Sequence, residues 1–169
     1  RNLGRVEIVL CFSEVIVSNF QLAIEHAERA LELLPQDDHA ERAAALIFMA
    51  AALLRLGEPL RIEMALRQAN VTELANNPWL RGSETAVHGQ LLVMMGLLRA
   101  AAVLYRRTIR SESNFNSMQV QQAIALMSII LIEWNEIDEA EHLIQHGLRL
   151  AEETGTVFWN GRYRLGLAQ

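Results

Sequence analysis

Two histidines and a carboxylate form the arrangement in this sequence that most resembles a metal site. His142 and His146 are four residues apart, and Glu139 precedes them by one helical turn. On a helix this spacing places the three side chains on one face, where imidazole and carboxylate groups can bind zinc. The sequence contains no HExxH motif, however, and the face in question is the polar, outer one. We therefore interpret these residues as solvated surface and predict no metal site.

The charged clusters also have ordinary explanations. Asp37 and Asp38 stand where a helix is predicted to begin, and carboxylates there stabilise the positive end of the helix dipole. Arg106, Arg107 and Arg110 predict a basic stripe, but the net charge of −5 argues against a phosphate-binding surface as the main role. The sequence has no evident nucleophile–base pair and no GxxxxGK[ST] phosphate loop, so it predicts a protein that is not an enzyme.

Helix-forming residues dominate the elements that would position these groups. Ala, Leu, Glu, Arg and Gln are abundant, only three of 169 residues are proline, and Val, Ile and Thr form no alternating runs. This composition predicts an all-α chain. No apolar run is long enough to span a membrane. The single cysteine, which cannot form an internal disulfide, fits a cytoplasmic protein.

A turn signal recurs every 39 residues. Ser18, Gly57, Gly96 and Asn135 each stand between two helical runs, and Gly and Asn tolerate the left-handed backbone conformation that ends a helix. Columns of small residues keep the same interval at seven residues before, five after and twelve after the turn. Their members are Cys11, Ala50, Gly89 and Ser128; Ala23, Ile62, Ala101 and Ala140; and Ala30, Ala69, Thr108 and Gly147. Such a period predicts a solenoid of antiparallel helix pairs, with Cys11 as a packing residue.

The turn positions divide the chain into four helix pairs. We predict first helices at 4–17, 39–56, 82–95 and 117–133, and second helices at 20–34, 59–75, 98–111 and 136–154. Asp37 or Asp38, Ser83 and Asn116 are the expected N-caps. The pairs then cover 4–34, 39–75, 82–111 and 117–154, and residues 157–169 begin a truncated fifth pair. We expect one repeat domain over residues 1–169, as a fragment of a longer protein.

The repeat resembles the tetratricopeptide repeat (TPR) in a slightly lengthened form, with a small column before the turn and alanines after it. A more specific resemblance lies in residues 131–155, LIEWNEIDEAEHLIQHGLRLAEETG. They are similar to EWNDLDEAERHLREGLELAERWG, a phrase common in the repeat domain of the large ATP-binding LuxR-type transcriptional regulators, the MalT group. The matching residues are Glu133, Trp134, Asn135, Asp138, Ala140, Glu141, Gly147 and Leu148. Residues 18–38 also match the usual entry to that domain.

The resemblance implies a right-handed superhelical solenoid in a cytoplasmic regulator. Members of the group carry an ATP-binding switch domain before the repeats and a helix-turn-helix DNA reader after them. It follows that ATP would bind only in a missing domain, and that this segment needs no cofactor and contacts neither nucleic acid nor membrane. We expect a sensor module whose partner is a small-molecule inducer, another protein or other domains of the same regulator. The alternative is a general protein–protein interaction scaffold with no small-molecule inducer.

In such a solenoid the first helices line the concave surface, and the period predicts which positions face it. The predicted site residues of this groove are Phe12, Ile47, Ser83, His88, Gln90, Gln122, Ile129 and Ile132, with Arg55 and Glu133 at its rim. Further positions on the same face are Ile8, Val15, Ala44, Ala51, Leu54, Ala86, Val93 and Ala125. Gln90 and Gln122 would orient a peptide, a partner helix or a small ligand. In a tight superhelix the same side chains would instead be ordinary packing.

His88 stands out within this set because its column otherwise holds Leu10, Met49 and Met127. The column therefore predicts a core position. A histidine there is either hydrogen-bonded within the core or available for ligand binding or pH sensing.

Overall fold

The computed structural model describes residues 2–69, 77–110 and 117–155, without the side chains of Ser117 and Met118. Within these ranges the protein consists of eight α-helices and contains no strand, which confirms the predicted all-α class. The helices are α1 (Asn2–Ile16), α2 (Phe20–Leu33), α3 (His39–Leu56), α4 (Pro59–Gln68), α5 (Pro78–Met94), α6 (Leu98–Arg110), α7 (Ser117–Glu133) and α8 (Ile137–Thr154). None of the helices in these ranges combines the length and apolar character that a membrane crossing requires.

The four predicted turn residues all adopt the left-handed conformation. The φ angles are 67° at Ser18, 75° at Gly57, 73° at Gly96 and 59° at Asn135. At three of these turns the next amide donates to a carbonyl five residues back, which satisfies a backbone oxygen at the helix end. The bonds are Asn19 N to Glu14 O at 2.9 Å, Glu58 N to Leu53 O at 3.2 Å and Glu136 N to Leu131 O at 2.9 Å. Each turn therefore reverses the chain within three residues, and the 39-residue period is confirmed.

The three columns of small residues lie inside the helix pairs. All twelve members are buried. Small side chains there allow the backbones of paired helices to approach closely, so the packing predicted for these columns is confirmed. Ile62, the one large member, is completely buried as well. Gly4, which lies outside these columns, is also closely packed, since a Cβ atom there would lie 2.7 Å from Cγ of the Leu34 side chain.

The chain divides into two compact units, Arg1–Met95 and Gly96–Gln169. In the first unit α1 packs against α2 and α3, and α3 also packs against α2, α4 and α5. In the second unit α7 packs against α6 and α8. Each unit buries its own apolar cluster, and the first is centred on α3, which has neighbours on several sides.

The junction between the first two pairs is closed by Arg42. α2 ends at Leu33 without a left-handed residue, and Pro35 follows its C-cap. The guanidinium Nη1 of Arg42 donates to the carbonyl oxygens of Leu31 at 2.6 Å and Leu34 at 3.2 Å. A side chain of the second pair thus satisfies backbone groups at the end of the first pair.

Two predicted boundaries are wrong. α5 begins at Pro78 rather than at residue 82, because Asn77 caps it by accepting from Leu80 N at 3.1 Å and proline suits the first helical position. Ser83 is therefore not an N-cap, and its hydroxyl donates to Trp79 O within the helix. α4 ends at Gln68 rather than at residue 75.

The other predicted caps have mixed outcomes. Asp38 occupies the N-cap position of α3, but its side chain makes no capping hydrogen bond. Asn116, residues 70–75 of the second predicted pair and the predicted fifth pair at 157–169 lie outside the described residues.

Candidate binding surface

Three aromatic rings from three successive first helices meet on one face of the first unit. Phe12 of α1 lies 5.1 Å from Phe48 of α3 and 5.9 Å from Trp79 of α5, measured between ring centroids. Phe48 and Trp79 are 5.4 Å apart with their planes at 67°. Such tilted and edge-to-face contacts each contribute about 0.5–1.5 kcal/mol beyond the burial of their area. The rings therefore hold the three first helices together.

These rings form the wall of a cavity of about 360 Å³. Its lining residues are Ile8, Val9, Phe12, Ala40, Glu41, Ala44, Phe48, Asn77, Trp79 and Leu80. All but two of these side chains are apolar. A mostly apolar concavity of a few hundred Å³ with a few polar groups is the usual form of a small-ligand site.

The two polar lining residues are Glu41 and Asn77. The Glu41 carboxylate forms an ion pair with Arg5 at 2.9 Å, so its charge is balanced beside the cavity. The side-chain oxygen of Asn77 accepts the hydrogen bond that caps α5, and its NH2 group is a hydrogen-bond donor. The described lining residues, mostly apolar with one carboxylate and one amide, suit an apolar group with one or two polar contacts.

Phe12 is the predicted site residue that the structure places most clearly at this cavity. Its side chain is 39 % exposed, and the predicted groove positions Ile8 and Ala44 line the cavity beside it. The predicted position of Ile47 in the groove is corrected by the structure, because this residue is completely buried and cannot be reached by a ligand. The reason is that α3 packs against α1, α2, α4 and α5, so few positions on α3 remain open.

The polar residues predicted for the groove of this unit engage their own surroundings. Arg55 is exposed, and its guanidinium lies 5.9 Å from the ring centroid of Phe20 in a cation–π contact. Ser83 is half-buried and bonds back to its own helix. Gln90 is also half-buried, and its Nε2 donates to the carbonyl of Ala86 at 3.4 Å. None of the three lines the aromatic cavity.

The core position predicted for His88 is wrong. Its side chain is 47 % exposed, and its Nδ1 lies 3.5 Å from Oε1 of Glu84. The hydrogen bond to the Glu84 side chain raises the pKa of His88 above its ordinary value, desolvation opposes this shift, and the Glu84 charge supports it. Leu10, in the same column, is also exposed, so this column does not mark the core in the first unit.

The predicted site residues of the second unit lie on α7. Ile129 and Ile132 are exposed, one helical turn apart, and Glu133 beside them is exposed as well. Gln122 is half-buried. This surface of α7 is therefore an apolar patch with a carboxylate next to it. The predictions that these residues and Gln90 contact a ligand stay predictions.

The remaining candidate residues occupy ordinary places. Cys11 is buried, and burial raises the pKa of its thiol to about 12, so the packing role predicted for it is confirmed. His142 is exposed and His146 is half-buried. No group of three or more His, Cys, Asp or Glu side chains suited to a metal ion occurs among the described residues. In the basic stripe, Arg106 pairs with Glu139 across α6 and α8 at 3.2 Å.

Sequence reasoning missed several residues of this site, among them the rings of Phe48 and Trp79. The predicted start of the third first-helix at residue 82 left Trp79 outside the helix. Asn77-Pro78 was the available signal, since an N-cap residue followed by proline typically begins a helix. Val9, Ala40 and Glu41 were missed because the predicted groove positions were taken from one stripe of each helix.

The profile of one protein family, described as the MalT-like TPR region, matches residues 4–169 of the chain. No curated protein and no solved structure matches the chain. The match spans both compact units and all eight described helices apart from the first residues of α1. A TPR-like helical repeat is therefore the architecture of the described chain, as predicted.

Proposed function

The chain belongs to the MalT-like TPR family, and on that premise we propose that it is the sensor module of an ATP-dependent LuxR-type transcriptional regulator. A TPR region of this kind is a non-catalytic regulatory or protein-interaction module. The finer assignment is supported by the resemblance of residues 131–155 to the repeat domain of those regulators. In this proposal the regulator is cytoplasmic. ATP and DNA bind to its other domains, and the repeats need no cofactor of their own.

The observation that carries the proposal is the aromatic cavity of the first unit. Its wall combines side chains of α1, α3 and α5, which belong to three successive helix pairs. A ligand with a compact apolar part would contact all three pairs at once. It would therefore stabilise the arrangement of the pairs in which Phe12, Phe48 and Trp79 are close together.

Regulation would then follow from a shift in population between arrangements of the repeats. A ligand shifts such an equilibrium only as far as its affinities for the two arrangements differ. The cavity provides this difference, because rotating one pair relative to the next would move the rings apart and remove part of the wall. The other domains of the regulator would respond to the arrangement that the ligand favours.

A thermal-shift screen of the chain against a metabolite library tests this function. A ligand at about 100 times its dissociation constant should stabilise the protein by about 2.7 kcal/mol. Phe12→Ala should weaken the binding of that ligand at least tenfold, because Phe12 is both exposed and part of the wall. Met64→Ala is the matched control, since Met64 is an exposed apolar residue outside the cavity lining. Equal binding by wild type and Phe12→Ala would place the site elsewhere.

The Gln90→Ala and Gln122→Ala variants test the predicted groove in the same assay. If the two amides orient the ligand, each substitution should weaken binding. Unchanged binding in both, together with a loss in Phe12→Ala, would restrict the site to the aromatic cavity.

The second candidate is a protein-docking scaffold without a small-molecule inducer. The exposed Ile129 and Ile132 on α7 favour it, because adjacent exposed apolar side chains are suited to a protein contact. Under this alternative no metabolite changes the melting temperature, whereas the ATP-binding domain of the regulator, added as a separate protein, raises it. Ile129→Glu should abolish that rise and Ile137→Glu, an exposed control on α8, should leave it unchanged.

A further inference from the structure

One face of α1 is an exposed apolar stripe. Its members are Leu3, Val6, Val9, Leu10 and Ile16, all of them exposed, and the exposed Val17 follows the end of the helix. Val6 and Val9 in its middle are 53 % and 62 % exposed. Ser13 is the polar residue within the stripe, and its hydroxyl donates to the carbonyl of Val9 at 2.9 Å, on its own helix. A continuous apolar surface of this kind is unusual for a monomer and commonly marks an interaction site.

The 39-residue period identifies the equivalent positions in the following helices. Val6 corresponds to Ala45 and Val9 to Phe48, and both of these α3 residues are buried. One period further, Val9 corresponds to Val87 of α5, which is also buried. The positions of Val6 and Val9 are therefore open in α1 and closed in α3, whereas Ile16 and Val17 correspond to Arg55 and Leu56, which are exposed.

Direct contacts show what closes this face in α3. Arg42, at the position equivalent to Leu3, donates to the carbonyl oxygens of Leu31 and Leu34 at the end of α2. Phe48, at the position equivalent to Val9, packs its ring against Phe12 of α1. This face of a first helix is thus the one that packs on the preceding helix pair.

The stripe on α1 also differs from the surface expected at the end of a stack. Terminal repeats of a solenoid carry a polar outer face, which keeps them soluble. The stripe contains no charged residue, whereas α1 carries Arg5, Glu7 and Glu14 at positions outside it. Its composition is that of an internal interface between pairs.

We propose that this stripe is a docking surface for a further helix pair of the same repeat type, which covers α1 in the way that α1 and α2 cover α3. The occupant is a helix pair because the equivalent face of α3 meets two helices at once, a ring on α1 and the carbonyl end of α2. This proposal concerns the packing of helix pairs and does not require the function proposed for the aromatic cavity, although Val9 belongs to both surfaces.

An extended chain provides the test. A second copy of residues 1–39, fused before Arg1, keeps the 39-residue register and places a helix pair against the stripe. We expect the melting temperature to rise by several degrees, because each repeat of a solenoid is stabilised by its neighbour.

The Leu3→Glu, Val6→Glu double substitution supplies the matched control. In the parent chain these two residues are exposed, so the substitution should change the melting temperature by less than about 2 °C. Placed in the native copy of the extended chain, it should remove the gain.

Three outcomes would overturn the proposal. The extension could leave the melting temperature unchanged, or the double substitution could lower the melting temperature of the parent chain as much as that of the extended one. In the third, sedimentation would show that the parent chain forms a dimer which the double substitution dissociates, and the stripe would then bind a second copy of this chain.

Discussion

Arg42, in the first turn of α3, donates to the carbonyl oxygen of Leu31, near the end of α2, at 2.6 Å. This hydrogen bond joins two successive helix pairs through a charged side chain and a backbone group. It takes the place of the left-handed C-cap, since α2 ends in an extended residue, Leu34. Removing this guanidinium should therefore weaken the junction.

Arg42→Met should lower the free energy of unfolding by about 1.5–3 kcal/mol, because it keeps most of the stem and removes the charged donor of two hydrogen bonds. Urea denaturation measures the loss. Arg67→Met is the control: Arg67 is exposed and, among the described residues, pairs with Glu63 on its own helix, so the substitution should cost no more than about 0.5 kcal/mol. Equal losses in the two variants would contradict the capping role.

The left-handed turns predict opposite effects for opposite substitutions. Gly57→Ala should destabilise by about 1 kcal/mol, because a Cβ atom there meets no neighbour but the backbone conformation is unfavourable. Ser18→Gly should stabilise by up to about 1 kcal/mol, since it relieves the same strain at a cost in unfolded-state entropy. Thermal unfolding should show a lower melting temperature for Gly57→Ala and a higher one for Ser18→Gly. A stabilised Gly57→Ala would show that the turn can change conformation.

Removing either of two buried hydroxyl groups should change the stability of the protein, in opposite directions. Tyr105 is buried, and its hydroxyl has no hydrogen-bond partner among the residues that the structure describes. Tyr105→Phe should therefore stabilise by about 1 kcal/mol. Thr108 is also buried, but its hydroxyl donates to the Leu104 carbonyl at 3.1 Å, so Thr108→Val should destabilise. Urea denaturation should separate the two variants, and a destabilised Tyr105→Phe would point to a partner for the phenol.

The pH dependence of stability should reflect Cys11. Burial raises the pKa of its thiol from 9.0 to about 12 in the folded protein. The unfolded chain therefore loses this proton at a lower pH than the folded one. The stabilising contribution is complete below about pH 9 and decreases as the pH rises towards 12, by about 1.4 kcal/mol per unit. The chain contains no lysine, which leaves this range free of lysine titration.

Urea denaturation at pH 8, 9 and 10 measures this decline, and Cys11→Ala should remove most of it. Burial also raises the pKa of Tyr105, whose effect begins only above its ordinary value of 10. An unchanged slope in Cys11→Ala would show that the thiol is not responsible.

The repeat could be predicted because its signals are local. Each turn requires a residue that tolerates the left-handed conformation, and each close contact within a helix pair requires a small side chain. Both requirements therefore recur once in every 39-residue repeat. Gly96 and Asn135 illustrate the first, and Ala101 and Ala140 the second. The missed start of α5 had a local signal too, in Asn77-Pro78, but it does not follow the period.

The sequence by itself determined the helices, their turns and the columns between them, because backbone conformation and close packing limit the residue types at each position. Only the tertiary structure decided which positions are open. Phe12, Phe48 and Trp79 occupy different columns, and their meeting depends on how α1, α3 and α5 pack together. Ile47 became buried and His88 exposed for the same reason, since the exposure of a helix face is set by the neighbours that cover it.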